Sequence, residues 1–432
     1  MNHAIDELDV EITACKKCKD STQDKISFST KDGFSGVIEN SLAHVPSGIK
    51  VAATSLGIKN SGALDFTVIL LEKPGNVAGV FTKSRTASPN ISRNREIVSK
   101  GIAQAVVVNS GNANVFTPTA TEDLTEISKL VSTEFNVTPE KQIICQTGVI
   151  GVQLPMDKFR NGIPGLNQKL KEGDLKSASE GILTTDVGPK TASFKFGDMI
   201  ISGIAKGAGM IEPNMATMLV YFFTNAKLSS KKLIQALKSS TDVSFNCISV
   251  DTDTSTSDSV VIASTGEVEI SEEEENIFNA ALKAMCLKLA KDVVSQGEGV
   301  SKTIEAKVAS DVSYEFSHAL AKAIINSPLV KTAIHGSDPN WGRVVMSLGK
   351  PIRGFDSLPA YDPSKIKIDL QGTTVFNGMS PCNVDFTKLS KSMKDKKDIY
   401  VDVSINSGTH VARTWGCNLS NEYIHINADY TS

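Results

Sequence analysis

The chain is predicted to be an α/β protein. Short apolar runs rich in β-branched residues alternate along it with segments of helical periodicity, the pattern of strands interleaved with helices. Its 432 residues exceed what one hydrophobic core usually serves, so two domains or one large multilayered domain are expected. A content of 40% hydrophobic and 22% charged residues supplies enough apolar surface to close such a core.

Taken in order, residues 1–30 are polar and weakly patterned and read as a flexible extension. Gln104–Ser110 (QAVVVNS) is a buried-strand pattern ending in turn residues, and Gly111-Asn112-Ala113-Asn114 follows as the turn. Thr119 and Glu122 have capping-box spacing ahead of Leu124, Ile127, Leu130, Val131 and Phe135, which predicts a helix. Met199–Ile204 and Met218–Phe223 are strand candidates separated by the glycine-rich turn Lys206-Gly207-Ala208-Gly209, and Val260–Ala263 is another. Ser271 opens a helix with four glutamates in its first turn, where the helix dipole favours negative charge. The apolar stripe of that helix is Phe278, Leu282, Met285 and Leu289. A composition change near Glu305–Ser310 divides a main domain, residues 31–305, from a C-terminal α/β domain, residues 306–432.

A formal net charge of -3 removes any bulk electrostatic argument for nucleic-acid or anionic-membrane partners. No apolar run approaches the length of a membrane span, and the N-terminus lacks the basic and apolar segments of a signal peptide, so a cytoplasmic protein is expected. Seven cysteines, an odd and scattered set, argue against a disulfide framework. Cys15 and Cys18 form only half of a tetrahedral metal signature, and Asp251–Asp258 lacks the glycine and terminal glutamate of a calcium loop, so no metal site is expected. The chain contains no GxGxxG after a strand, GxxxxGK[ST], HExxH or GxSxG motif. The Asp338–Arg343 segment reads as a structured turn carrying a buried tryptophan rather than as a catalytic carboxylate–arginine set.

The segment from Lys206 to Ala226 reads KGAGMIEPNMATMLVYFFTNA. A turn-prone Glu212-Pro213-Asn214 precedes Met215-Ala216-Thr217, and a buried-strand pattern begins at once. On composition alone Thr217 is an ordinary strand residue, and Thr147-Gly148 alone is a turn. The segment closely resembles the junction of the ornithine acetyltransferase (bifunctional glutamate N-acetyltransferase) family, in which the precursor cleaves itself before a threonine within PNMATML. Further segments match that family in order: Asn109–Asn114, Thr147–Gly151, Leu154–Asp157, Thr184-Thr185-Asp186, Ser255-Thr256, Gly297-Glu298-Gly299, Asp338–Arg343, Trp415-Gly416-Cys417 and Ile426–Tyr430. Together they cover nearly everything after about residue 45.

The resemblance implies a multilayer α-β-β-α main domain of the N-terminal-nucleophile type, with a smaller C-terminal α/β domain that contributes to the substrate site. It also implies cleavage between Ala216 and Thr217, which makes Thr217 a chain-starting nucleophile. A threonine hydroxyl attacking the Ala216 carbonyl would give an ester that water resolves. The freed α-amine, with a reference pKa of roughly 7.7–8.0, suits a general base near neutral pH. Thr147 and Gly148 match the oxyanion-hole pair, and Thr185, Lys206, Thr217, Glu298, Asn427 and Ser432 match the substrate contacts. Lys206 would pair with a carboxylate and Glu298 with an ammonium. The implied substrates are N-acetylornithine as donor and glutamate as acceptor, with no cofactor, acetyl-CoA being left open as a second acetyl donor, and with two copies of each fragment in the assembly. Thr252, Ser257 and Gln296 depart from the family pattern, which has glycine, asparagine and aspartate there. Three alternatives stay open: a related N-terminal-threonine aminopeptidase or amidase, a paralogue acetylating another amine, and a non-enzymatic amino-acid-binding protein that never matures.

Overall fold

The computed structural model describes residues 10–14, 25–31, 33–212, 218–352, 354–355, 357–358, 361–406 and 408–429. Contacts divide the chain into two compact units: a larger one of residues 10–246 and 254–293, and a smaller one of residues 247–253 and 294–430. Each is described by itself.

The larger unit is built on a twelve-stranded sheet. Its main path runs Val10–Ala14, Lys25–Thr30, Ser35–Glu39, Lys190–Phe196, Met199–Lys206, Leu219–Ala226, Ser259–Val268, Phe66–Phe81, Ile49–Thr54 and Lys171–Glu172. Ile102–Asn112 pairs with Phe66–Phe81 and with Gln142–Val149. The sixteen-residue strand Phe66–Phe81 changes partners midway. Phe66–Leu71 pairs with Ile49–Thr54 and Asn76–Phe81 with Ser259–Val268, while Ile102–Asn112 pairs with both stretches, at Phe66–Leu70 and again at Gly75 and Asn76. The change falls at Pro74-Gly75, and a Cβ on Gly75 would come 2.1 Å from the Ser264 carbonyl oxygen, so only glycine lets the strands cross so closely.

The two halves of the sheet face one another. Val51, Ile69, Val106, Val108 and Ile143 of one half share an apolar cluster with Ile204, Leu219, Tyr221, Phe223, Val261 and Ala263 of the other. The outer face of the first half is covered by the helix Ala120–Phe135 through Leu124, Ile127 and Val131. The outer face of the second is met by Glu272–Ser295, where Leu289 packs over Gly203, 3.2 Å from the place a Cβ would take. This is the α-β-β-α layering, and the apolar stripe Phe278, Leu282, Met285 and Leu289 is fully buried, as its spacing predicts.

Two expectations need correcting. Lys25–Thr30 is a strand rather than part of a flexible extension: it pairs with Ser35–Glu39 and buries Phe28 against Phe194. Residues 1–9 and 15–24, including Cys15 and Cys18, lie outside the described residues. The capping box is absent at Thr119, whose hydroxyl bonds the Asp123 carboxylate instead. One forms at Ser271, whose Oγ accepts from Glu274 N (3.2 Å) while Glu274 Oε2 accepts from Ser271 N (2.8 Å).

The smaller unit has a six-stranded sheet in the order Ser380–Pro381, Thr373–Asn377, Ile366–Leu370, Asp398–Ile405, Thr303–Ser310 and His410–Cys417. The helix Tyr314–Ile325 packs Leu320 and Ile324 into a core with Ile304, Ala306, Val308 and Val403. The Pro339-Asn340-Trp341-Gly342 segment starts a helix: Asn340 Oδ1 caps Arg343 N at 3.1 Å, and half-buried Trp341 stacks on Phe376.

Candidate active site

The parallel strands Ile102–Asn112 and Gln142–Val149 end together in register, with Ser110 opposite Thr147 and Gly111 opposite Gly148, and the register then shifts at Asn112. Gly148 has φ +131°, and a Cβ there would lie 2.3 Å from the Gly111 carbonyl carbon. No larger residue fits without moving the backbone. Buried amides hold this end rigid. Gln146 Nε2 donates to Asn109 Oδ1 (2.9 Å), Asn114 Nδ2 to Gln146 Oε1 (3.0 Å), and Asn112 Oδ1 accepts from Asn114 N (2.8 Å). Thr147 is almost fully buried beside them, where the strand pairing becomes irregular. A hydroxyl and a glycine N–H presented on such a frame can serve as fixed donors to a developing oxyanion.

Lys206 ends its strand opposite Leu219, and Gly207 follows at φ +153°. Asp186 organises this corner. Its Oδ1 accepts from Gly207 N and from Lys190 Nζ, both at 2.7 Å, and its Oδ2 accepts from Thr184 N at 3.1 Å. Both side chains of the Asp186–Lys190 pair are wholly shielded from water. Burial opposes the aspartate's charge, but Lys190, then Lys206 and the bonds to Lys190 and Gly207, hold its carboxyl below the usual range. Lys206 Nζ reaches Thr184 Oγ1 at 3.5 Å, next to half-buried Thr185. The Leu219–Ala226 strand is buried at every position and runs parallel to Ser259–Val268, and Ser259 N donates to Met218 O at 2.8 Å. Ala216, Thr217 and Ser432 lie outside the described residues, and the strand begins two positions past Thr217.

In the smaller unit, Glu298 is nearly buried, and its Oε2 accepts from Asn427 Nδ2 at 2.8 Å. Gly299 has φ +66°, and a Cβ on it would meet Tyr423 N at 2.3 Å, so glycine lets the helix Asn421–Asp429 approach. Tyr423 Oη donates to Asp251 Oδ2 at 3.3 Å, and burial, then Asp251 and Glu298, push the phenol upward. Thr252 sits at φ +71°, a left-handed conformation that costs a β-branched side chain roughly 1–2 kcal/mol.

Three charged residues of the larger unit fall in no sequence motif: Lys59, Asp65 and Lys190. Asp186 stands within a matching segment, and Asp258 ends the stretch that lacks the glycine and glutamate of a calcium loop. Asp65 is fully buried. Its carboxylate accepts from the backbone N–H groups of Leu56 and Ile58 (2.6 Å each) and Lys59 (3.0 Å), while its carbonyl accepts from Ser110 N. Asp258 is also buried, and its Oδ2 has no hydrogen-bond partner among the described residues. Burial pushes its carboxyl well above the usual range, against the pull of Ser255 and Lys206. The available signal was positional: Asp65, Lys190 and Asp258 each adjoin or open a continuous strand pattern, where an unpaired charge could not remain.

Among the described residues no group of three His, Cys, Asp or Glu is placed to hold a metal, and no helix is long and apolar enough to cross a membrane. A family model, the ArgJ family, matches residues 50–432. The chain is 41% identical over 390 residues to the arginine biosynthesis bifunctional protein ArgJ 2 of a Nostoc species, covering 90% of this chain and 98% of that protein. It is 38% identical over 379 residues to the arginine biosynthesis bifunctional protein ArgJ of Lactococcus lactis, covering 85% and 93%. Among solved structures, ornithine acetyltransferase of Mycobacterium tuberculosis complexed with ornithine is 32% identical, covering 40% of this chain and 94% of that chain with a TM-score of 0.38. The arginine biosynthesis bifunctional protein of Bacillus halodurans is 31% identical, covering 48% and 96% with a TM-score of 0.44.

Proposed function

Because the chain belongs to the ArgJ family, we propose that it is a self-cleaving acetyltransferase of arginine biosynthesis that moves acetyl from N2-acetylornithine to glutamate. The observation that carries the reading is the family match itself, which runs from residue 50 to residue 432 and contains every residue of the expected site.

In the first step the Thr217 hydroxyl attacks the Ala216 carbonyl, the acyl group shifts from nitrogen to oxygen, and water hydrolyses the ester. The products are a chain ending in Ala216 and one beginning with Thr217. In the acetyl cycle the freed α-amine takes the Thr217 hydroxyl proton as the oxygen attacks the acetyl carbonyl of the donor. Thr147 and the Gly148 N–H stabilise the oxyanion, and collapse releases ornithine, whose leaving amine takes the proton back. The glutamate amine then attacks the acetyl-threonine ester, giving N-acetylglutamate and free Thr217. Lys206 is assigned a substrate carboxylate, Glu298 a substrate ammonium, and Thr185, Asn427 and Ser432 the remaining contacts. No cofactor is required by this cycle, and acetyl-CoA would enter it as an alternative donor to the same hydroxyl. A cytoplasmic location and an assembly of two copies of each fragment belong to the same reading.

Support beyond the match comes from the rigid Thr147-Gly148 frame and from the Asp186 clamp beside Lys206. Intact mass spectrometry of the wild type beside Thr217→Ala tests the proposal. Fragments 1–216 and 217–432 are expected for the first and an uncut chain for the second. Incubation with donor alone should add one acetyl group to the 217–432 fragment. An uncut wild type, or acetate released in place of acetylglutamate, overturns it.

A further inference from the structure

We propose that Lys59, whose stem lies over Gly111, is a specificity-determining residue of the acetyl-acceptor site, a second cation in addition to Lys206 that receives the extra carboxylate of a dicarboxylic amino acid. The inference rests on the acetyltransferase reading above and goes beyond it by naming a residue outside the expected set.

The placement of Lys59 is built rather than incidental. The buried Asp65 carboxylate gathers the N–H groups of Leu56, Ile58 and Lys59, which fixes the backbone of this loop, and the Asp65 carbonyl ties it to Ser110. The stem of Lys59 lies over Gly111, its Cγ 3.0 Å from where a Cβ on that glycine would stand. Gly111 is the residue against which Gly148 packs. Lys59 therefore stands one residue's thickness from the expected oxyanion hole.

Its charge is also available. Lys59 Nζ donates to the Leu64 carbonyl at 2.7 Å, and an ammonium has three hydrogens, so two remain. Lys59 forms no salt bridge among the described residues. The charged groups that bear on it are Asp65, Asp186 and Lys206. Both carboxylates are already committed, Asp65 to three backbone N–H groups and Asp186 to Lys190, Gly207 and Thr184. They offset the charge of Lys59 at a distance without occupying its donors. Half-burial lowers its pKa, which reports the desolvation that makes a carboxylate partner favourable. Lys206 bears on Lys59 less than either carboxylate does, so the two cations are compatible in one site, and a substrate with two carboxylates offers a partner to the donors of Lys59 that remain. The donor has one carboxylate and the acceptor two, so the second cation discriminates between the half-reactions.

The test measures the two half-reactions separately in Lys59→Gln, on the cleaved full-length enzyme. Acetyl-enzyme formation from acetylornithine should stay within roughly twofold of wild type. The KM for glutamate should rise roughly tenfold or more, the usual scale for losing a charged hydrogen bond. The preference for glutamate over glutamine as acceptor should collapse, and Lys59→Arg should restore part of it. An equal fall in both half-reactions, which a merely structural role would give, overturns the proposal. So does an unchanged glutamate preference. A wild type that forms no acetyl-enzyme refutes the parent reading, whereas a working wild type with an indifferent Lys59→Gln refutes only the role of Lys59.

Discussion

Gly148→Ala is the sharpest perturbation the structure offers. The new Cβ would stand 2.3 Å from the Gly111 carbonyl carbon, 2.5 Å from Asn112 N and 2.7 Å from the Gly111 Cα. Non-bonded carbon atoms settle at roughly 3.5 Å or beyond, so the two strand ends must part by about 1 Å. No flexible side chain can yield in their place, because every atom met is backbone. A misplacement of about 1 Å in a catalytic constellation costs roughly 10²-fold, and a lost oxyanion donor costs roughly 2.7–4 kcal/mol, or about 10²–10³-fold. Acetylation of Thr217 by the donor should therefore slow by about 10²–10³-fold in a single-turnover experiment followed by intact mass. Overpacking should also lower global stability by roughly 1–3 kcal/mol, visible as a reduced thermal midpoint. Thr147→Val separates the two effects, since it removes the hydroxyl donor at nearly constant volume and leaves the strand ends in place. Wild-type acetylation rates in both variants would refute the assignment of these residues to the oxyanion.

Further outcomes follow from the buried charges. Asp186→Asn strands Lys190 in a site wholly shielded from water and should cost roughly 3–5 kcal/mol, measured by denaturant unfolding at pH 7; a cost below about 1 kcal/mol would show that the pair is dispensable. Because the Asp186 carboxyl is held below its ordinary range, its contribution is complete above the unfolded value of about 3.9 and fades as pH falls through the lower folded value, so the wild-type advantage over Asp186→Asn should shrink in acid. Asp258 has the opposite sign. With its folded pKa raised, its stabilising effect is full only below about pH 3.9 and declines as pH rises toward the folded value. Asp258→Asn should therefore raise the thermal midpoint more at pH 8 than at pH 5, and equal shifts at both would show that the acid is not buried in its neutral form.

Much of the architecture was legible because it rests on local periodicity. The strand at Gln104–Ser110, the pair of strands flanking Lys206–Gly209 and the long helix after Ser271 all fall where alternation and helical spacing place them. The capping box at Thr119 failed for a local reason too: Asp123 competes for the hydroxyl, and the sequence pattern carries no term for that competitor. Lys25–Thr30 was missed because its apolar residues are few, and its partners, Ser35–Glu39 and Phe194, decide whether they are buried.

The sequence by itself determined the family, the fold class and which residues match the expected chemistry, because these depend on identity and order along the chain. Only the tertiary structure decided why Gly148 must be glycine, how Asp186 reaches across to Gly207, and that Lys59 stands against Gly111. Residues 111 and 148, like 186 and 207, are far apart in sequence, and the parallel and antiparallel pairings that bring them together are set by burial of a shared core. A carboxylate's partners, and hence its charge state, exist only once that core has closed around it.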